Sequence, residues 1–338
     1  MDALRKTGPR PADIALQQVP RPTAGADQVV VDVAAAGLCG TDLHILDGSY
    51  GSAPPVTLGH EVSGTITAVG LGVDQARIGE RVALETFFST CGACGGCRSG
   101  SPNRCQQRIS IGSGADGGFA EQVLVPARNA RTLPDSVSLA AGALSEPLAC
   151  VCRSLFQPFP AVTPGDRVLV IGPGAIGLLA AQVARAAGGV VAILGTPQDA
   201  ERLAVAAALD LPAVDDPAQA PAEVDVVLEC SGSGPGMALG IERVRRGGRY
   251  VQIGQRGDAV PIPLALVSFH ELVITGGFAS TPSSWDRAMQ LLHDDTVQLE
   301  PLVSHRFGLN EWEAAFDAVR RSAGVKQLLC PAGEQESA

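Results

Sequence analysis

The sequence predicts an α/β protein of two domains, a β-rich first part followed by a doubly wound parallel sheet. Its 338 residues exceed one small core, since domains commonly hold about 100–200 residues. Short β-type runs such as VVVDVAAAG, VSGTITAVG, RVALETFF and AEQVLVP fill the first part. From about Thr163, apolar runs alternate with Ala-rich helical stretches, which is typical of βαβ units.

Six apolar runs predict the strands of the second domain: RVLVI, VVAIL, LPAV, VDVVLEC, RYVQIG and LVITGG. Six parallel strands with crossover helices complete a doubly wound sheet of the Rossmann type. Two amphipathic segments, WDRAMQLLHDD and LNEWEAAFDAVRR, close the chain. We predict a β-rich domain over 1–148, a Rossmann domain over 149–285 and a C-terminal segment, 286–338, that returns to the first domain.

Composition and charge restrict the class of partner. The net charge is -10 and no Lys/Arg tract is present, so neither nucleic acid nor an anionic membrane is an expected partner. The N-terminus lacks the apolar core of a signal peptide, and no apolar run of about 18 residues predicts a membrane span. We expect a cytoplasmic protein that acts on small molecules.

A glycine-rich loop joins the first strand of the second domain to its helix. Strand RVLVI runs into Gly172, Pro173 and Gly174, and Ala175 and Ile176 then lead to a third glycine, at position 177. The first glycine permits the tight turn, the second lets a pyrophosphate approach the backbone, and Gly177 lets helix and strand pack closely. Placed between a strand and a helix, this loop predicts dinucleotide binding.

The end of the second strand, VVAIL, bears on the choice between NAD and NADP. An acid that holds the NAD ribose is expected about 20 residues after the loop, but Gly195 and Thr196 stand there. Thr196 can donate a hydrogen bond to a 2′-phosphate, and Arg202 is a candidate cation for it. Alternatively, Asp199 binds the NAD ribose or only caps the helix. The residues favour NADP.

Four of the nine cysteines form one cluster with the spacing CxxCxxCx7C: Cys91, Cys94, Cys97 and Cys105. Four thiolates with no open position are typical of a structural zinc site. An iron–sulfur cluster and unpaired thiols are the alternatives. Because zinc has no redox chemistry, we expect the site to stabilise a lobe or a subunit contact.

Three separate segments, GLCGTDLH, GHE and SEPL, carry candidate catalytic residues: Cys39, Thr41, Asp42, His44, His60, Glu61 and Glu146. Cysteine, histidine and carboxylate form a zinc ligand set that leaves one position for water or substrate. Taken singly, each residue has a structural alternative, such as a buried cysteine or a core histidine. Together with the glycine loop and the cysteine cluster, they predict a catalytic metal.

The segments CGTDLH, GHE with VSGTITAVG, CGACGGC, EPL and VLVIGPGAIG resemble the zinc-containing medium-chain dehydrogenases in order and approximate spacing over nearly the whole chain. Glu146 in EPL is similar to the polyol and threonine dehydrogenase branch, because liver-type alcohol dehydrogenases have a cysteine there. The resemblance implies a GroES-like catalytic domain, a Rossmann cofactor domain, one catalytic and one structural zinc, and a homodimer or homotetramer.

The resemblance also implies the metal ligands. Cys39 and His60 would bind the catalytic zinc, with Glu61 and Glu146 as the carboxylates around it. Either carboxylate can coordinate the metal in this family. Asp42 would orient His60 and raise its basicity.

For proton transfer, the resemblance implies that Thr41 takes the alcohol proton and passes it through the cofactor ribose toward His44. Local turn bonding is the structural alternative for Thr41 and Asp42. Tyr50 and Phe87 would line the substrate pocket, and simple packing is the alternative for Tyr50. Zinc would lower the pKa of the alcohol and the nicotinamide would accept the hydride.

The carboxylate-rich site favours a polyol, sugar or amino alcohol over a simple alcohol, because carboxylates accept hydrogen bonds from neighbouring hydroxyls. L-threonine dehydrogenase is an alternative, although no site for its ammonium and carboxylate is identifiable. A non-catalytic relative that binds NADP is another, but the intact catalytic residues argue against it.

Overall fold

Residues 1–331, the part of the chain described by the computed structural model, contain strands β1 Asp2–Lys6, β2 Ile14–Gln18, β3 Gln28–Gly37, β4 Val56–Thr57, β5 Glu61–Val69, β6 Arg81–Leu84, β7 Phe87–Ser89, β8 Ile109–Ser110, β9 Gln122–Pro126, β10 Ala130–Thr132, β11 Arg167–Ile171, β12 Val190–Leu194, β13 Ala213–Val214, β14 Val224–Glu229, β15 Val244–Gln252, β16 Val273–Gly276, β17 Val303–Phe307 and β18 Lys326–Leu329.

The helices of the same residues are α1 Gly40–Asp47, α2 Gly95–Arg98, α3 Leu139–Gly142, α4 Ser145–Phe156, α5 Ala175–Ala186, α6 Ala200–Ala208, α7 Gly234–Arg243, α8 Ala265–Phe269, α9 Pro282–His293 and α10 Trp312–Arg320. No helix among residues 1–331 combines the length and hydropathy needed to cross a membrane.

The first structural unit comprises Met1–Glu146 and the described chain from Val303 onward. Its largest sheet has the order β10-β6-β5-β3-β18-β17, with β9 also paired to β3. Strand β3 is antiparallel to both β5 and β18. The first residue of β5 and the C-terminal strand β18 therefore both lie beside the end of β3, where the segment GLCGTDLH begins.

The second unit comprises Pro147–Leu302 and contains six parallel strands in the order β13-β12-β11-β14-β15-β16. Each predicted apolar run corresponds to one of these strands, which confirms the doubly wound sheet. Their side chains form the core, where Leu169 of β11 and Val227 of β14 are fully buried. The strand order reverses between β11 and β14, and ligands of such sheets bind outside the carboxyl ends of the strands at this point.

The observed division at Leu302 lies downstream of the expected boundary at residues 285 and 286. That boundary falls inside α9, whose Trp285 is fully buried and whose amphipathic face continues to Leu292. The whole helix belongs to the second unit, and the chain re-enters the first unit at Val303.

Candidate zinc and cofactor sites

Three donor side chains of the first unit converge: Cys39, His60 and Glu61 each offer a ligand atom, and these atoms lie within 4.8 Å of one another. Cys39 is the N-cap of α1, just after β3, and His60 precedes Glu61 at the start of β5. The β3–β5 pairing joins the two segments, because Gly37 lies opposite Glu61 in the register. One thiolate, one imidazole and one carboxylate fit a catalytic zinc.

Gly37 leaves the space that the Glu61 side chain occupies. A Cβ atom at position 37 would lie 2.2 Å from Oε2 of Glu61. Any other residue would displace this carboxylate, so the glycine before the CGTD segment is part of the site.

Asp42 contacts two of the three converging donor residues, Cys39 and His60. Its buried carboxylate accepts the N–H of Cys39 through Oδ2 at 2.9 Å, and its Oδ1 lies 3.6 Å from Nδ1 of His60. Within residues 1–331 this Oδ1 has no hydrogen-bond partner. A histidine that ligates a metal through Nε2 keeps its proton on Nδ1, so the orphaned oxygen fits a metal-bound His60.

Opposing charges lie close together among these side chains. Burial lowers the pKa of His60, but the charge of Asp42 at 3.6 Å and the contact with Cys39 raise it well above its usual range. A bound cation would displace this proton, because only the neutral imidazole is a ligand.

Lys326 is a residue of the site that sequence reasoning missed. Its Nζ donates to Oε1 and Oε2 of Glu61 at 2.8 and 2.7 Å and to the carbonyl of Leu38 at 3.1 Å, all buried. Burial lowers the pKa of Lys326, but the charges of Glu61 and Cys39 and the hydrogen bond to Glu61 together outweigh burial and raise it. The lysine lies in β18, 265 residues from its partner, and the segment GVKQLL carries no signal that connects the two.

Glu146 is not among the three donors whose ligand atoms lie within 4.8 Å of one another. It is 7% exposed, and its Oε1 accepts a hydrogen bond from Oγ1 of Thr86 at 2.9 Å. Its charge nevertheless raises the pKa of Lys326, after the larger effects of burial, Glu61 and Cys39, so it is near the site. The carboxylate within the ligand group is thus Glu61.

The expected proton-transfer residues occupy α1. Oγ1 of Thr41 lies 3.6 Å from Sγ of Cys39. His44 is half exposed, and its Nδ1 is 3.1 Å from Oγ of Ser49. Tyr50, which follows α1, is 37% exposed, whereas Phe87 is buried at the start of β7.

The cysteine cluster is the second metal-ligating group of the first unit, and its four ligand atoms also lie within 4.8 Å of one another. The Sγ–Sγ distances are 3.9 Å for Cys91–Cys97 and 3.6 Å for both Cys94–Cys97 and Cys91–Cys105. A regular tetrahedron with zinc–sulfur bonds of about 2.3 Å has edges of about 3.8 Å. The spacing therefore fits a four-thiolate zinc site.

Local backbone builds this cluster. Gly92 adopts a left-handed conformation with φ +67°. The N–H groups of Ala93 and Cys94 lower the pKa of Cys91 to about 6, whereas burial raises the pKa of Cys97 to about 11. Four thiolates at these Sγ–Sγ distances would repel one another without a cation between them, which a structural zinc would supply.

The glycine loop of the second unit has the predicted geometry. Gly172 has φ +98°, and Gly174 is the N-cap of α5, with open space where its Cβ would lie. A Cβ at Gly177 would lie 1.8 Å from the carbonyl oxygen of Gly172. Ala175 and Ile176 form the first turn of α5, so the backbone N–H groups of this turn are available to a pyrophosphate.

At the end of β12, Asp199 caps the turn that begins at Thr196. Its Oδ2 accepts the N–H and the hydroxyl of Thr196 at 3.0 and 2.7 Å, and its Oδ1 lies 3.4 Å from Arg202. The capping role of Asp199 is therefore present. A Cβ at Gly195 would lie 3.0 Å from Leu203 and Pro173, so this position has little spare space.

Comparisons with known proteins agree with these sites. Residues 25–135 match the alcohol dehydrogenase GroES-like domain and residues 175–294 match the zinc-binding dehydrogenase family. Sorbitol dehydrogenase from Halalkalibacterium halodurans is 37% identical, over 98% of this chain and 99% of that protein. D-arabitol-phosphate dehydrogenase from Enterococcus avium is 31% identical, over 97% of each. A zinc-binding dehydrogenase from Sinorhizobium meliloti, solved with NADP, has a TM-score of 0.87 and 32% identity, over 98% of this chain and 99% of that one.

The chain belongs to the zinc-containing medium-chain dehydrogenase family, a class of oxidoreductases. Within that family, its similarity to a sorbitol and an arabitol-phosphate dehydrogenase places it in the polyol dehydrogenase branch. The predicted combination of a GroES-like domain and a Rossmann domain is confirmed, and zinc is the metal of the family.

Proposed function

We propose that this protein oxidises a secondary alcohol of a polyol or sugar, and reduces the corresponding ketone, with NAD(P) as hydride carrier. The observation that carries the proposal is the convergence of Cys39, His60 and Glu61 in a chain that also has the glycine loop. Of the proposed domains, the GroES-like unit holds the zinc ligands and the Rossmann unit holds the cofactor loop. When bound, zinc supplies Lewis acidity that lowers the pKa of the alcohol, and the dinucleotide accepts the hydride.

The residues around the ligands orient and neutralise the site. Asp42 favours the His60 tautomer with the proton on Nδ1, because its Oδ1 lies 3.6 Å from that nitrogen, and it holds Cys39 through the backbone. Lys326 balances the negative charge of Glu61. Thr41 is the proposed acceptor of the alcohol proton, and the half-exposed His44 is the proposed exit to solvent.

We propose NADP as the preferred cofactor, with NAD as the alternative. The end of β12 offers no carboxylate at Gly195, and Arg202 is a cation held beside the following turn by Asp199. Asp199 already engages both Thr196 and Arg202, so we expect a modest preference. NADP in the Sinorhizobium meliloti relative supports the choice.

The substrate test is cofactor reduction, followed by absorbance, over a panel of polyols, polyol phosphates, sugars, simple alcohols and L-threonine. Turnover of polyols above simple alcohols supports the proposal. Turnover of L-threonine alone would favour threonine dehydrogenase, and cofactor binding without turnover of any compound would favour a non-catalytic relative. Cys330→Ser is the matched control for Cys39→Ser, because Cys330 belongs to neither metal-ligating group.

We propose a homodimer formed through the edge of the Rossmann sheet, with a tetramer as the larger alternative. Within residues 1–331, strand β16 pairs only with β15, and its Val273 and Ile274 are 42% and 39% exposed. Phe269 just before this strand is 72% exposed. An unpaired apolar edge favours strand pairing with a second copy. Light scattering should show a dimer for the wild type and a monomer for Ile274→Lys.

The cytoplasmic location stays a prediction.

A further inference from the structure

Glu229 is a buried carboxylate at the carboxyl end of the Rossmann sheet. It is the last residue of β14 and is 0% exposed. Its neighbours in the strand register are Ile171 of β11, which precedes the glycine loop, and Gln252 of β15. It therefore lies where the strand order reverses, which is where a dinucleotide binds in this type of sheet.

Four donors satisfy the Glu229 carboxylate. Oε1 accepts the N–H of Ser231 at 2.9 Å and also its hydroxyl. Oε2 accepts the N–H of Gly232 at 3.2 Å and Nε2 of Gln252 at 2.7 Å. Among residues 1–331, no lysine, arginine or histidine forms an ion pair with this carboxylate. A buried charge held by neutral donors alone needs all of them in place.

These donors belong to the turns that follow β14 and β15. Gln252 also donates to the carbonyl of Gly254 at 2.6 Å and accepts the hydroxyl of Tyr250 at 2.6 Å. The Ser231 turn packs against the glycine loop, since a Cβ at Gly172 would lie 2.8 Å from the Ser231 backbone. One side chain thus connects two turns to the loop that faces the pyrophosphate.

We propose that Glu229 is a positioning residue for the dinucleotide: it holds the turns at residues 230–233 and 252–254 against Gly172, so that the backbone around the cofactor is formed before binding. The inference rests on the proposed dehydrogenase function. Glutamine at position 229 cannot replace it. With its amide NH₂ in the place of Oε2, both the N–H of Gly232 and Nε2 of Gln252 lack an acceptor, and with the NH₂ in the place of Oε1, the N–H of Ser231 lacks one.

The test compares Glu229→Gln with the swapped double variant Glu229→Gln/Gln252→Glu. In the double variant, Glu at 252 can accept from the amide at 229 and from the Tyr250 hydroxyl, which restores these two pairs, whereas the Gly232 N–H and the Gly254 carbonyl lose their partners. Asp225→Asn is the matched control: Asp225 lies on the same strand at the opposite end, where it accepts from Arg167 N–H at 2.8 Å and Arg245 Nε at 2.6 Å.

The measurement is the Kd of NADPH and of NADH without substrate, together with zinc content and Tm. We expect Glu229→Gln to raise both Kd values about tenfold at unchanged zinc content. The double variant should bind both dinucleotides more tightly than the two single changes predict by addition. Asp225→Asn should lower Tm and leave both Kd values unchanged.

Three results would overturn the inference. Wild-type Kd values in Glu229→Gln would show that the carboxylate does not position the cofactor site. A double variant that binds as weakly as the summed effects of Glu229→Gln and Gln252→Glu predict would show that the changes disrupt the fold in general. If Glu229→Gln alone does not fold, the Kd values of the double variant decide the test. Wild-type protein that binds neither dinucleotide would instead overturn the proposed function, and this inference with it.

Discussion

The two metal-ligating groups of the first unit are built in different ways. The four cysteines lie between residues 91 and 105, and short turns bring their sulfurs together. The catalytic group draws on the end of β3 and the start of β5, and its counter-ion Lys326 comes from β18, 265 residues away. Four thiolates fill a tetrahedral coordination sphere, as in structural zinc sites, whereas three protein ligands leave one position for water or substrate, as in catalytic sites.

The largest expected effect separates the two groups by activity. Cys39→Ser and His60→Ala should each reduce turnover at least about a thousandfold, because catalysis by a metal is worth several kcal/mol. Cofactor Kd should stay within a few-fold, since the glycine loop belongs to the other unit. The zinc content of each variant should fall from two ions to one per subunit, whereas Cys330→Ser should retain both ions. Retained turnover at one zinc per subunit would contradict the two-site assignment.

Lys326→Met tests the charge balance of the catalytic group. The substitution leaves the buried Glu61 carboxylate without its ammonium partner, which should lower the free energy of unfolding of the metal-free protein by about 3–5 kcal/mol. The double variant Glu61→Gln/Lys326→Met removes both charges and should be more stable than Lys326→Met alone. Urea unfolding of the metal-free proteins measures the difference. Equal stability of the single and double variants would mean that the ion pair is not coupled.

Cys94→Ser tests the cysteine cluster by stability. Losing one thiolate should release the structural zinc and lower Tm by about 5–10 °C, as a loss of about 2–3 kcal/mol does in a unit of this size. The remaining folded enzyme should keep its catalytic zinc. An unchanged Tm would show that the cluster is not structural, and visible absorption from bound iron would show that it is not a zinc site.

The smallest effect concerns cofactor choice. NADP should have the higher kcat/KM, by about ten- to a hundredfold, because one hydrogen bond to a charged group is worth roughly 1.5–3 kcal/mol. Gly195→Asp should reverse the preference. Gly195→Ala is the control, since it adds the same Cβ against Leu203 and Pro173 without the charge. Removal of Arg202 should weaken NADP alone, and a tenfold preference of the wild type for NAD would point to Asp199 as the ribose ligand.

Most of the Rossmann unit was predictable because its strands are continuous apolar runs between Ala-rich helices. Strand β18 was not, because two of its four buried residues, Lys326 and Gln327, are polar and resemble a surface segment. The strands β4 and β8 could not be predicted either, because two residues are too few to show an alternating pattern and their strand conformation depends on pairing with neighbouring strands.

The sequence by itself determined the glycine loop, the cysteine cluster and the candidate ligands of the catalytic metal, because each depends on residue type and on spacing within a few residues. Only the tertiary structure decided that Glu61 joins Cys39 and His60 while Glu146 bonds to Thr86. It also brings Lys326 to Glu61 and Gln252 to Glu229. A buried carboxylate requires a partner, and which distant ammonium or amide supplies it depends on how the strands of each sheet are ordered.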